Sequence, residues 1–160
     1  MIDLANLSVK IFADGADLVG IKGMSRKPWI KGFTTNPTLM RKAGVMEYKG
    51  FALEVLEAVP DRPVSFEVFA DEFDEMERQA REIASWGRNV YVKIPVTNTK
   101  GRFAGQLIRR LTEAGVKVNV TAVFTPEQIK AIVEQLADET PMIVSVFAGR
   151  IADTGVDPMP

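Results

Sequence analysis

Four β-rich runs begin at Val64, Val90, Val116 and Met142, each 26 residues after the one before. A strand, a helix and two short loops occupy about that length, so the period marks repeated βα units on a parallel sheet. Counting two earlier runs, the strand candidates are Val9–Ala13, Gly32–Thr34, Val64–Val68, Val90–Ile94, Val116–Thr121 and Met142–Val146. The segments between them are helical in pattern. Thr125-Pro126-Glu127-Gln128 supplies a capping hydroxyl, a proline at the first helical position and a glutamine three residues after the cap. Asp71 is placed to cap a helix striped by Met76, Ala80, Ile83 and Ala84 and stopped by Gly87. Ala104, Leu107, Ile108, Leu111 and Ala114 form a second stripe closed by Gly115, and Tyr48–Ala58 reads as another helix. No low-complexity segment, charge run or linker divides the chain, so a single domain over residues 1–160 is expected.

Parity within the strands narrows the architecture. Val90, Val92 and Ile94 oppose Asn89, Tyr91 and Lys93; Val116, Val118 and Val120 oppose Lys117, Asn119 and Thr121. Val64, Phe66 and Val68 oppose Ser65 and Glu67; Met142, Val144 and Val146 oppose Ile143, Ser145 and Phe147; Val9, Ile11 and Ala13 oppose Lys10, Phe12 and Asp14. An open doubly wound sheet is covered by helices on both faces and has nearly continuous apolar strands. Here one face is apolar and the other grows polar toward each carboxyl end. That pattern belongs to a (β/α)8 barrel, with helices outside and a site at the carboxyl ends of the strands. Only six units fit into 160 residues, however. Two more would need roughly 50 further residues, and Asp157-Pro158-Met159-Pro160 reads as a turn with no helix after the sixth strand. The expected fold is therefore an α/β (β/α)8 TIM barrel truncated after its sixth strand and lacking about the last two βα units.

The residue inventory limits the chemistry. The chain has no Cys and no His, which excludes disulfides, thiolate zinc sites, Cys nucleophiles and His-based triads or metal centres. Lys plus Arg total 20 against 21 for Asp plus Glu, so the chain is not built as a polyanion binder and no nucleic-acid partner is expected. The amino-terminal run MIDLANLSVKIFADGAD lacks the charge and apolar order of a secretory leader. No apolar run approaches the ~18 residues of a membrane span. A cytoplasmic protein is expected.

Lys93 is the central candidate. It lies near the carboxyl end of a strand, on the polar face, between Val92 and Ile94. A lysine amine attacks carbonyls only when neutral, and burial with a cationic neighbour favours that form. The alternative is a lone lysine guarding an edge strand against aggregation. Asp14 closes the first strand; it is either an N-cap or, with Glu67 at equivalent depth on another strand, a carboxylate for proton transfer beside the amine. Glu67 is alternatively a salt-bridge partner. Gly32-Phe33-Thr34-Thr35-Asn36-Pro37 reads as a turn, or as Thr34 and Asn36 offering hydrogen bonds to a polyol, which Asn119 and Thr121 can also do. Arg150 is a surface residue unless its loop turns inward to clamp a phosphate. Neither G-x-G-x-x-G nor a P-loop is present, so nucleotide binding has no support.

Taken in order, Lys10-Ile11-Phe12-Ala13-Asp14, Thr34-Thr35-Asn36-Pro37-Thr38, Glu67, Val92-Lys93-Ile94-Pro95-Val96-Thr97, Asn119-Val120-Thr121 and Ser145-Val146-Phe147-Ala148-Gly149-Arg150-Ile151 resemble the transaldolases over nearly the whole chain. The likeness is closest to the short bacterial branch that includes fructose-6-phosphate aldolase. The resemblance implies a class I aldolase without metal or organic cofactor. In it Lys93 forms a Schiff base with a ketose phosphate, Asp14 takes the proton from the C4 hydroxyl, and Glu67 shuttles protons with a water held by Thr121. Thr34, Asn36, Asn119 and Ser145 then hold the dihydroxyacetone unit, Phe147 packs nearby and Arg150 binds phosphate. Fructose 6-phosphate or sedoheptulose 7-phosphate would donate, and an aldose phosphate such as erythrose 4-phosphate would accept, as in the pentose phosphate pathway. Sugar phosphates are the expected partners, with no membrane, and a homo-oligomer is expected. The aldolase branch tends to carry Gln at the position of Glu67 and Tyr at that of Phe147; the residues here favour transfer over simple cleavage. The family's last two strands also contribute a Ser and an Arg to phosphate binding, which this chain lacks; a non-catalytic remnant is the alternative from another class.

Overall fold

The computed structural model describes residues 8–136 and 139–158. The leader reading of residues 1–7 and the Met159-Pro160 part of the terminal turn lie outside the described residues. Among the described residues the elements run β1 (Ile11–Asp14), α1 (Leu18–Ser25), β2 (Ile30–Thr34), α2 (Pro37–Lys42), α3 (Tyr48–Ala58), β3 (Val64–Glu67), α4 (Phe73–Ala84), β4 (Val90–Pro95), α5 (Gly105–Glu113), β5 (Val118–Val123), α6 (Pro126–Val133), β6 (Ile143–Val146) and α7 (Ala148–Ala152). The strands are ordered β1-β2-β3-β4-β5-β6 in one sheet, and the pairings β1–β2, β2–β3, β4–β5 and β5–β6 are parallel. Strands in sequence order, each joined to the next by helix, are the (β/α)8 barrel class; a doubly wound sheet would reverse its order at a switch point. The expected fold class is observed, as six βα units of a barrel.

By contact density the chain divides into two compact units, Met1–Glu67 with Glu82–Tyr91, and Val68–Arg81 with Val92–Pro160. In the first, β1 pairs with β2 from Ile11↔Ile30 to Asp14↔Thr34, and β2 with β3 at Phe33↔Val64 and Thr34↔Ser65. The Phe12 ring lies across β2, so that a Cβ on Gly32 would sit 2.2 Å from its Cε1 and the ring would have to move to admit a larger residue. Helix α3 buries Ala52, Val55 and Leu56 at positions i, i+3 and i+4. Phe33, Val64 and Phe66 are buried with them. Arg62 joins the ends of α1 and β2 by donating to Ser25 O (2.7 Å) and Ile30 O (3.1 Å).

In the second unit the pairs Val92↔Val118, Lys93↔Asn119, Ile94↔Val120 and Pro95↔Thr121 set β4 against β5. Helix α5 buries Leu107, Ile108 and Leu111, as its stripe predicts. It ends in a Schellman motif: Gly115 has φ +76°, its N–H donates to Thr112 O (2.9 Å), and Val116 N–H donates to Leu111 O (2.9 Å). Val116 is thereby part of the helix end, which is why β5 starts at Val118 and not at the expected Val116. Helix α6 carries the expected capping box at Thr125 and Gln128.

Two expectations are corrected. Asp71 does not cap α4. Its carboxylate instead accepts from Thr99 N (2.8 Å) and Thr99 Oγ1 (2.7 Å), pinning the β4–α5 loop, while α4 starts at Phe73. The sixth strand is also followed by a helix, α7, whose turn closes through Ile151 N–H to Phe147 O (3.0 Å) and Asp153 N–H to Gly149 O (3.0 Å). Among the described residues no helix is long and apolar enough to cross a membrane.

The acids around the β4–α5 loop predict an acid limb in stability. The Thr99 N–H, then its hydroxyl, hold the Asp71 carboxyl below its ordinary range; Lys100 and Arg102 do so for Glu72, and Arg81 and Arg110 for Glu77. A carboxylate with a lowered folded-state pKa contributes stability above its unfolded pKa and loses it as pH falls through the folded one. The urea midpoint is therefore expected to be level near neutrality and to decline as pH drops through and below the ordinary carboxylate range. Asp71→Ala should flatten that decline, and a pH-independent midpoint would contradict the assignment.

Candidate active site

Asp14, Thr34, Glu67 and Ser145 stand at or next to the carboxyl end of a strand, Lys93 and Thr121 in the carboxyl half of β4 and β5, and Asn119 near the start of β5. Alternation places Asp14, Thr34, Ser65 and Glu67 on one face of β1–β3, because Asp14 pairs with Thr34 and Thr34 with Ser65. Thr34 Oγ1 donates to Asp14 Oδ1 at 2.8 Å. Asp14 is exposed and is not an N-cap: α1 is capped by Asp17, which accepts from Val19 N (3.3 Å) and Gly20 N (2.7 Å). Glu67 is not level with Asp14 but two residues past Ser65, about 6.6 Å farther along the strand direction. Asn36 Oδ1 accepts from Leu39 N (2.9 Å) and caps α2, leaving its amide nitrogen outside the cap. The run Thr35-Asn36-Pro37 is thus a strand-to-helix turn, as its Asn-Pro pair predicts.

A second row lies on β4–β6. Lys93 is half-buried between Val92 and Ile94, which are fully buried. It sits beside Asn119, its Cα partner on β5, at the spacing of neighbouring strands, about 4.8 Å. Asn119 is buried, and its Oδ1 accepts from Ser145 Oγ at 2.7 Å. Lys93, Asn119 and Ser145 therefore occupy one face of three adjacent strands. Because β4 lies inside the strand order, with β1 and β6 outermost, Lys93 is not an edge-strand lysine. Thr121 is 3% exposed, and among the described residues its hydroxyl oxygen has no hydrogen-bond partner. A buried hydroxyl without a protein partner is a place for a water or a substrate oxygen. Phe147 follows β6 and meets Phe124 edge-on, with ring centroids 5.6 Å apart. Arg150 is exposed on α7 and pairs with Asp153 at 3.3 Å.

Two residues that shape these rows, Gln79 and Ala122, carry no sequence signal. Gln79 Oε1 accepts from Phe69 N (2.8 Å) and Ala70 N (3.0 Å); Gln128, expected from its capping box, likewise accepts from Phe124 N (2.7 Å) and Thr125 N (3.1 Å). The chain thus ties down the loop after β3 and the loop after β5 with the same device, a helix glutamine. Ala122 has φ +56°, where the register of β5 against β6 slips between Val120 and Val123. An L-residue in that conformation is strained by about 1–2 kcal/mol, and alanine gives no hint of it in a sequence. Ala122→Gly is expected to be neutral or to stabilise by up to about 1 kcal/mol, and Ala122→Val to destabilise by about 1–2 kcal/mol. Urea unfolding of the pair decides the matter; a neutral valine variant would show that the bulge relaxes.

Among the described residues no three Asp or Glu side chains converge as metal ligands. The first row presents carboxylates and hydroxyls, the second an amine, an amide and hydroxyls. The family model described as Transaldolase/Fructose-6-phosphate aldolase matches residues 11–159. Relatives include a "Probable transaldolase" of Dehalococcoides mccartyi, 39% identical over 151 residues, covering 94% of this chain and 66% of the relative. A "Probable transaldolase" of Streptococcus agalactiae is 39% identical over 149 residues, covering 93% of the chain and 65% of the relative. One of Bdellovibrio bacteriovorus is 36% identical over 151 residues, with 94% and 66% covered. The chain spans about two thirds of the length of these relatives, 65–66%.

Proposed function

The chain belongs to the transaldolase/fructose-6-phosphate aldolase family, and on that premise we propose that it carries the residues for Schiff-base transfer of a dihydroxyacetone unit between sugar phosphates in the cytoplasm. The observation that carries the reading is Lys93, half-buried on an interior strand beside Asn119. Its neutral amine adds to the C2 ketone of fructose 6-phosphate or sedoheptulose 7-phosphate, and loss of water leaves an iminium. Asp14 removes the proton of the C4 hydroxyl, the C3–C4 bond breaks, and its electron pair moves to the iminium to form an enamine as an aldehyde departs. The enamine adds through the same carbon to the aldehyde of an aldose phosphate acceptor such as erythrose 4-phosphate, whose new alkoxide recovers the proton. Water then releases the ketose and the free amine.

Glu67 moves protons during imine formation and hydrolysis with a water on Thr121, whose buried, unpartnered hydroxyl supports that part. Thr34, Asn36, Asn119 and Ser145 hold the three-carbon unit; Arg150 holds phosphate, which requires it to exchange Asp153 for the ligand. Phe147 places an aromatic edge without a hydroxyl near the enamine, and that favours transfer over protonation and release. Comparing free dihydroxyacetone formed with and without an acceptor aldehyde tests the choice. Release that is suppressed by the acceptor is expected, and release indifferent to it would make the activity plain aldol cleavage. Absence of any sugar-dependent turnover or covalent capture would leave the chain a non-enzymatic relative.

A further inference from the structure

We propose that Tyr48 is a positioning residue for Glu67, acting as a one-atom substitute for the strand that β3 lacks at its carboxyl end. The proposal rests on the reading of Glu67 as the proton shuttle. Successive residues of β3 direct their backbone groups to alternate sides. Val64 N–H donates to Asn89 O (3.0 Å), whereas Ser65 O faces β2 and accepts from Thr35 N (3.2 Å). Glu67 has the parity of Ser65, so its N–H and C=O face the β2 side. The β2–β3 pairing stops at Thr34↔Ser65, however, and the chain turns at Asn36-Pro37 into α2. Glu67 therefore lies beyond the last pair of the β2–β3 ladder.

The Tyr48 hydroxyl takes the vacated position. It donates to Glu67 O at 2.9 Å and accepts from Glu67 N at 2.8 Å. Tyr48 is the first residue of α3, 19 residues before Glu67 in sequence. Its ring is held edge-on by Phe66 (6.2 Å) and Trp86 (5.3 Å), which themselves meet at 6.0 Å. A hydroxyl on a ring with two rotatable bonds, wedged between two other rings, holds a backbone more firmly than a mobile water does. Fixing φ and ψ of Glu67 fixes the direction in which its side chain leaves the strand. Burial, and secondarily the Glu67 charge, push the phenol well above its ordinary range, so it remains a donor across the working pH of an enzyme.

The test compares the full chain with its Tyr48→Phe variant and needs no sugar for its first readout. NMR of the variant is expected to show Glu67 amide exchange faster by about tenfold or more and its χ1 couplings averaged among rotamers. Borohydride capture of fructose 6-phosphate is expected to slow by about tenfold at saturating sugar, with its pH profile displaced. A folded variant with unchanged Glu67 exchange and couplings overturns the proposal, as does an unchanged pH profile where capture occurs. A parent chain that captures no sugar counts against the aldol reading alone; the exchange and couplings then decide the role of Tyr48. Should Tyr48→Phe fail to fold, 3-fluorotyrosine incorporated in a Tyr91→Phe background keeps the ring and hydroxyl while changing its acidity. Displaced Glu67 amide shifts and capture profile are expected there, and invariance of both overturns the proposal.

Discussion

Lys93→Arg is expected to abolish covalent capture of fructose 6-phosphate under borohydride, a loss of about a thousandfold or more in labelling rate. Arginine keeps a long side chain at the same place on β4, but its guanidinium does not lose a proton in proteins and supplies no nucleophile. The fold is expected to survive. Val92 and Ile94, the residues that anchor this stretch in the core, are fully buried and untouched, and the pairing of residue 93 with Asn119 is a main-chain matter. The label should therefore appear in the wild-type chain as a reduced sugar fragment on the peptide containing Lys93, and disappear from the variant at an unchanged urea midpoint. Equal labelling of both proteins would place the reacting amine elsewhere and remove the first step of the proposed reaction.

The second large effect is on stability. Phe66→Ala is expected to destabilise the chain by about 3–5 kcal/mol, a substantial part of the about 5–15 kcal/mol that holds a domain together. Phe66 is 0% exposed and packs edge-on against both Tyr48 and Trp86. The truncation leaves a cavity and removes two ring contacts worth about 0.5–1.5 kcal/mol each beyond their buried area. Phe66→Leu keeps most of the volume and should cost roughly half as much. Urea unfolding followed by Trp86 fluorescence measures both; a loss under about 1 kcal/mol for the alanine variant would mean that the three rings are not a packed cluster. The ring that Phe66 steadies also grips Glu67, so the alanine variant is further expected to loosen the Glu67 amide.

How far these features were readable depends on the range of the interactions behind them. The alternation in β4, the stripe of α5 and the Thr125–Gln128 box arise from neighbours within a strand or a turn of helix, and each appears in the structure; the repeating βα order appears too, with strands starting at Val64, Val90, Val118 and Ile143 and not at an even spacing. Two of the mistaken details come from pairings between segments distant in sequence, and the third from a helix too short to leave a local pattern. Asp71 resembles a cap from its local context, yet it bonds Thr99, 28 residues away. Asp14 looks level with Glu67 when positions are counted within each strand, but the register through β2 sets them one pleat apart. The helix after β6 was hidden because Ala148–Ala152 is a single short turn without a strong cap.

What residue order alone determined is the repeating βα pattern, the strand parity that Lys93 shares with its β5 neighbours Asn119 and Thr121, and a reactive inventory without cysteine or histidine. Only the tertiary structure decided which residues meet. The Tyr48 hydroxyl at the end of β3, the left-handed Ala122 in β5 and the Ser145–Asn119 bond all follow from where separate segments come to lie. A local pattern is written by propensities that act over a few residues, whereas a hydrogen bond across 19 or 26 residues exists only once the sheet has set its register.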